Sequence, residues 1–296
     1  MKNYLFIIGN GFDVAHGISS KFSNFGEYLE KNDTKVFEAI QKYLFVDKNF
    51  WNCFEERLAT LDYDSIIDYA TDFLVGYGDE NWSDAYHHDF EYEIQQITSN
   101  LSDRLKLNFH NWIDSLEMPT AGNFDPVRCI DPSSQFLSFN YTSTLQDLYK
   151  VPDENVIHIH GSLHALDEEL IIGHGWLRQH DEKLSPKVNE DTDVRVGGGY
   201  KLIDDYFADT FKPTDDIIEE CQGFFSGLNE VTDVIVLGHS ISEVDMPYFR
   251  EIVKHFDVDK VRWLVSFYGS PDSLRNSFSC LGVNSKLICF RSFDEF

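Results

Sequence analysis

Four short polar segments, each closing an apolar stretch, hold the residues of this 296-residue chain that could do chemistry: Gly9-Asn10-Gly11-Phe12-Asp13, Asn140-Tyr141-Thr142, His160-Gly161-Ser162 and Gly238-His239-Ser240. Gly9 and Gly11 lack a Cβ, so their backbone can turn sharply and approach a diphosphate closely. The third glycine of the dinucleotide fingerprint is missing, and a strand-end turn with Asp13 capping a helix explains the segment equally well. Asp13 would repel phosphate; a hydrogen bond to backbone N–H groups or to a ribose hydroxyl is its easier role. The Asn140 carboxamide donates and accepts without titrating, which suits orienting a water or a ribose hydroxyl; a turn asparagine is the plainer alternative. An imidazole at His160 can take a proton from a hydroxyl near neutral pH, although a satisfied core or strand-end histidine is the commoner fate. Alternation over Val156–His160 puts His158 and His160 on one strand face, one of them near the accessible end.

These segments need elements to bring them together. The continuous apolar run Tyr4–Ile8 predicts a buried strand closed by the glycine turn. Residues 24–117 have helical period and few glycines or prolines. Phe37, Ile40, Tyr43 and Leu44 share one face, Ile66, Ile67, Ala70, Phe73 and Leu74 another, and Phe90, Ile94, Ile97, Leu101, Leu105 and Phe109 a third. The turn-rich stretch Met118-Pro119-Thr120-Ala121-Gly122 ends this region. Strands are expected at Gln135–Phe139, Val156–His160, Glu169–Ile172, Asp233–Leu237, Val261–Phe267 and Lys286–Phe290. Helices are expected around Ile217–Leu228, Val244–Phe256 and Asp272–Cys280. His174–Asp216 reads as loop-rich, with Gly197-Gly198-Gly199 either a lid hinge or a merely flexible stretch. Strands separated by helices predict a parallel sheet, because parallel neighbours need long crossovers. The organisation that follows is a Rossmann-like core formed by 1–23 and 119–296, with 24–118 as a helical insertion after the first strand. In open sheets of this kind ligands bind beyond the carboxyl ends of the strands, where the four polar segments fall.

Composition limits the partners. The net charge of −27 repels phosphate backbones and anionic bilayers, so neither nucleic acid nor a membrane surface is expected; solubility alone accounts for most of these charges. A small anionic ligand stays open, since backbone N–H groups can hold phosphate. The 25 Phe and 14 Tyr supply ample material for a core. No apolar run approaches the roughly 20 residues of a membrane helix, and the N-terminal run is too short for a signal peptide. Five scattered cysteines without a Cys-x-x-Cys pair argue against a disulfide framework and against structural zinc, and fit a cytoplasmic protein.

Asn140, followed by Asn155-Val156-Ile157-His158-Ile159-His160-Gly161-Ser162-Leu163, resembles the sirtuin pattern, in which an asparagine strand end precedes a histidine-glycine-serine segment carrying the catalytic base. Gly9-Asn10-Gly11 is similar to the sirtuin phosphate loop, and Gly238-His239-Ser240 to the later loop that holds the adenosine ribose. More specifically, Ile8-Gly9-Asn10-Gly11-Phe12-Asp13, Phe139-Asn140-Tyr141-Thr142, His158-Ile159-His160-Gly161, Ile172-Gly173-His174-Gly175 and Gly238-His239-Ser240-Ile241-Ser242-Glu243-Val244-Asp245 together resemble the bacterial phage-defence family AbiH. The resemblance implies a Rossmann-like sheet of the sirtuin/DHS type and NAD as ligand or substrate. It also implies an antiviral, abortive-infection role in which an NAD glycohydrolase cleaves the nicotinamide–ribose bond. Asn140 and His160 would be catalytic, with Gly9, Asn10, Gly11, Phe12, Asp13, Gly161, Gly238, His239 and Ser240 contacting the nucleotide. Two departures from sirtuins stand out: there is no zinc ribbon, and Thr142 occupies the position of an acidic residue. A sensor that binds NAD or an ADP-ribose derivative without cleaving it, or an interaction module with a phage trigger or a second copy as partner, remain the alternatives. His174 either faces the ligand or sits in a turn, and Asp245 has helix capping as its plain explanation.

Overall fold

A computed structural model describes residues 3–80, 82–120, 124–163 and 169–296. Two positions of the expected turn after the helical region, Ala121 and Gly122, lie outside the described residues. The chain divides into two compact units. Residues 1–21, 113–171 and 213–296 make the first, and 22–112 with 172–212 make the second.

The first unit is built on six parallel strands: β1 Tyr4–Ile8, β2 Gln135–Ser138, β3 Val156–His158, β4 Asp233–Leu237, β5 Arg262–Phe267 and β6 Ile288–Ser292. Their order is β3-β2-β1-β4-β5-β6, the doubly wound arrangement in which the direction of winding reverses between β1 and β4. The expected Rossmann-like parallel sheet is therefore present. Both faces are apolar because each central strand alternates into two separate cores. Leu5, Ile7, Leu137, Val234, Val236, Trp263 and Val265 join one core. Phe6, Ile8, Phe136, Ile235 and Leu237 join the other.

Helices cover each face. α1 (Asn10–Ala15) places Phe12 on the second core, and α8 (Thr144–Tyr149) places Leu145 there. On the opposite face lie α10 (Thr214–Glu220), α11 (Gln222–Ser226), α12 (Met246–Lys254) and α13 (Asp272–Cys280), contributing Ile217, Phe225, Phe249, Ile252 and Phe278. The single helix expected over Ile217–Leu228 is thus two short helices and a 3-10 turn, Gly227–Glu230. The strand expected at Glu169–Ile172 does not form; that stretch joins no ladder, although the Ile171 N–H donates to His160 O at 2.9 Å.

The second unit is helical: α2 Phe22–Asn32, α3 Thr34–Tyr43, α4 Phe54–Arg57, α5 Tyr63–Thr71, α6 Asp89–Leu101, most of α7 (Asp103–Asp114), and α9 Val194–Asp209. The six-residue apolar face expected from Phe90 to Phe109 is buried throughout but divided between α6 and α7. Asp33 locks two helices together. Its carboxylate accepts the Val36 N–H at the start of α3, two bonds from Arg104 at 2.6 and 2.9 Å, and one from Asn108 at 2.8 Å. The Gly197–Gly199 run, expected to be a hinge or a flexible loop, lies instead inside the 16-residue α9. A Cβ at Gly198 would collide with Glu91, and one at Gly199 with Phe90 and Ile94, so these glycines let α9 press close against α6.

Candidate functional site

The carboxyl ends of four neighbouring strands fall level. Ile8 pairs with both Ser138 and Leu237, and Ser138 pairs with His158. The loops leaving these ends are the four polar segments, so the fold brings Asp13, Asn140, His160, His239 and Asp245 to one edge of the first unit's sheet. All five are buried, none more than 8% exposed.

Asp13 lies within α1 and not at its cap, which is Gly9. Its carboxylate instead accepts the Thr142 hydroxyl at 2.6 Å and the Thr144 hydroxyl at 2.7 Å. The two hydroxyl oxygens are themselves 3.0 Å apart. An ionised Asp13 leaves these three contacts with two protons, whereas a protonated one supplies the third and completes the ring. Burial pushes the carboxyl up to about 6, against the pull of Thr142, Thr144 and the nearby Asn140 carboxamide.

Asn140 is 5% exposed, and neither its Oδ1 nor its Nδ2 meets a hydrogen-bond partner of good geometry in the structure. Its backbone is well held: the N–H donates to the Ser138 hydroxyl at 3.2 Å, and its carbonyl lies 2.8 Å from His158 Nδ1. A buried amide left unsatisfied costs roughly 1–3 kcal/mol, so a carboxamide fixed in this way marks a place where a ligand or water is expected.

The second half of the cluster centres on Asp245. His160 Nε2 lies 3.9 Å from one of its oxygens and His239 Nε2 3.7 Å from the other. Asp245 precedes α12 but makes no side-chain cap; its Oδ2 accepts the Ser242 hydroxyl at 2.9 Å. Helix capping is therefore not what this carboxylate does. His239 Nδ1 accepts the Ile241 N–H at 2.8 Å, which leaves the proton of the neutral ring on Nε2, facing Asp245. Ile241 itself has φ 52°, a left-handed conformation unusual for a β-branched residue and of the kind that collects at functional sites. Phe139 stacks edge-on to both imidazoles, with ring centres 5.4 Å from His160 and 4.3 Å from His239, and Tyr248 packs on His160 at 5.4 Å.

The glycine loop packs against the loop that follows β4. Gly9 N–H donates to Leu237 O at 2.9 Å, and Gly11 N–H to Gly238 O at 2.8 Å. A Cβ at Gly9 would strike His239, one at Gly11 would strike Gly238, and Gly238 has φ 68°. The glycines thus let the β1 and β4 loops touch at the switch point. Phe12 is fully buried in core packing, the Asn10 side chain is tied to Ser20, and Ser240 is exposed. Gly161 has φ 79° and abuts the carbonyl of Glu169. Of the paired strand histidines, His158 ends β3 half-buried and in reach of Gln146, while His160 lies beyond the strand, 3% exposed.

His174 belongs to the second unit and is fully buried. Its Nδ1 accepts the Trp176 N–H at 3.2 Å, and burial lowers its pKa to about 4. Thr144 and Tyr248 carry no sequence signal of their own, for no local spacing marks a hydroxyl that reaches back to Asp13. Among the described residues no group of three or more His, Cys, Asp or Glu is arranged to hold a metal ion, and no helix is long and apolar enough to cross a membrane.

Strand order and cluster together define a doubly wound, Rossmann-type α/β protein carrying buried carboxyl, carboxamide and imidazole groups at the carboxyl ends of its central strands. Residues 5–267 match the model of the family described as Bacteriophage abortive infection AbiH, and the chain belongs to that family. No match was found among curated proteins.

Proposed function

We propose that this AbiH-family chain binds NAD at the β1/β4 edge and hydrolyses its nicotinamide–ribose bond, depleting NAD during phage infection. The observation that carries the reading is Asn140, a buried carboxamide that sits beside Asp13 without a well-formed hydrogen bond, where doubly wound folds bind nucleotides. The departing nicotinamide already bears its positive charge and takes the bonding electron pair, so no strong acid is required. The residues must instead orient the ribose and place one water. Asn140 would hold a ribose hydroxyl or that water, Asp13 would accept from a ribose hydroxyl, and His160 would take up the proton released as water bonds to the anomeric carbon. Asp245, 3.9 Å from His160 Nε2, would stabilise the imidazolium that results. The resemblance to sirtuins supports NAD as the nucleotide; the missing acidic residue at position 142 does not.

Nicotinamide release by the purified protein tests this. Wild type should turn NAD over, with His160→Ala and Asn140→Ala each about 10²-fold slower or worse. Equal rates in all three would remove both residues from the mechanism.

A second reading is a sensor that holds the nucleotide intact. It is favoured by Thr142, whose hydroxyl is committed to Asp13, and by the burial of every polar group in the cluster. Calorimetry followed by prolonged incubation separates the two, since a sensor returns NAD uncleaved.

A further inference from the structure

We propose that the site recognises the cationic N-ribosyl-pyridinium end of its ligand and makes little use of phosphate, so that a pyridinium riboside without phosphates is bound as well as the dinucleotide. The inference rests on the site proposed above and names the part of the ligand that the site reads.

Phosphate is held in folds of this type by loop amides at a helix start or by Lys and Arg. Here Gly9 N–H and Gly11 N–H are turned onto β4-loop carbonyls, and Phe12 N–H onto Gly9 O at 2.9 Å. Three of the four amides from residue 9 to 12 are therefore spent within the protein. The helix they open has six residues, too short for a strong dipole. The groups that meet Asp13 are two hydroxyls and a carboxamide, none of them positive.

The same groups suit a cation. Asp13 and Asp245 bring two buried carboxyls to one sheet edge, and a molecule of net charge −27 adds a field of the same sign. A pyridinium riboside carries one positive charge, and the charge passes to the ribose as the glycosidic bond opens. In that step the C–N bond breaks with its electron pair going to the ring nitrogen, and water oxygen bonds to the anomeric carbon. The water proton leaves through His160 to solvent. The Asn140 carboxamide, beside Asp13 but in no well-formed hydrogen bond, offers a donor and an acceptor to the ribose hydroxyls.

Calorimetric titration of the full chain with NAD, nicotinamide riboside and ADP-ribose, with nicotinamide release followed in the same samples, tests the inference. Nicotinamide riboside should bind within about tenfold of NAD, and ADP-ribose, which has the phosphates but no pyridinium, at least about tenfold more weakly than the riboside. Asp13→Asn should weaken NAD and the riboside in parallel, whereas Thr144→Val, which retains the carboxyl, should keep the preference for the riboside over ADP-ribose. ADP-ribose binding as tightly as the riboside, or NAD binding more than about a hundredfold better than the riboside, would overturn the inference. Binding of the riboside without release of nicotinamide would sink hydrolysis and leave the recognition standing. No binding of any of the three removes both.

Discussion

Asp13 is a buried carboxyl whose chemistry departs well from that of its exposed counterpart. Its folded-state pKa of about 6 lies above the ordinary 3.8, so the folded protein holds this proton more tightly than the unfolded chain does. The stabilising contribution is complete below about pH 4 and is lost as the pH rises through about 6, a change on the order of 3 kcal/mol. Asp13→Asn should therefore gain on wild type by up to about 3 kcal/mol between pH 4 and 7 in chemical denaturation. A difference that does not vary with pH would mean the carboxyl titrates as if exposed. At this scale the sequence made Asn140, His160 and His239 legible, because each closes an apolar run at a strand end. It misdirected Asp245 toward a helix cap, since a carboxylate near a helix start looks the same whether it caps or turns to an imidazole. Thr144 was out of reach altogether: its contact with Asp13 spans 131 residues.

Elements were legible wherever period and burial agree. β1, β4 and α13 fall at their expected residues, as apolar runs bounded by turn residues must when both faces of a sheet are covered. The exception is α9. Three successive glycines cost a helix roughly 1 kcal/mol each relative to alanine, so propensity favours a loop, and only the close packing of α6 on that face overrides it. The Gly9, Gly11 and Gly238 contact likewise leaves no local mark, since it joins loops more than 220 residues apart. It yields a prediction at this scale. Gly238→Ala combines a positive φ with a clash against the backbone of Gly11 and Phe12, whereas Gly17→Ala has a positive φ in open space. Denaturant titration should show Gly17→Ala costing about 1 kcal/mol and Gly238→Ala at least about twice that. Equal losses would mean the two loops separate without resistance.

Two buried groups pull the stability of the molecule in opposite directions as it is acidified. His174 is kept neutral, its pKa falling from 6.5 to about 4, so its contribution is present above pH 6.5 and lost as the pH drops through 4. Asp13 regains stability over much of the same interval. His174→Gln should flatten the acid limb of the melting-temperature profile, and Asp13→Asn should steepen it. An unchanged slope in His174→Gln would show that this imidazole is not held neutral. The division into units was only partly readable, because a helical region closed by the return of residues 172–212 leaves no local mark in either segment. The strand order has a consequence for synthesis. β1 is made before either of its sheet neighbours, one of which begins at Gln135 and the other at Asp233. At about 5–20 residues per second it waits tens of seconds as an apolar five-residue segment with an open edge. A chain cut short before Asp233 should leave that edge exposed and aggregate, however well its helices have formed.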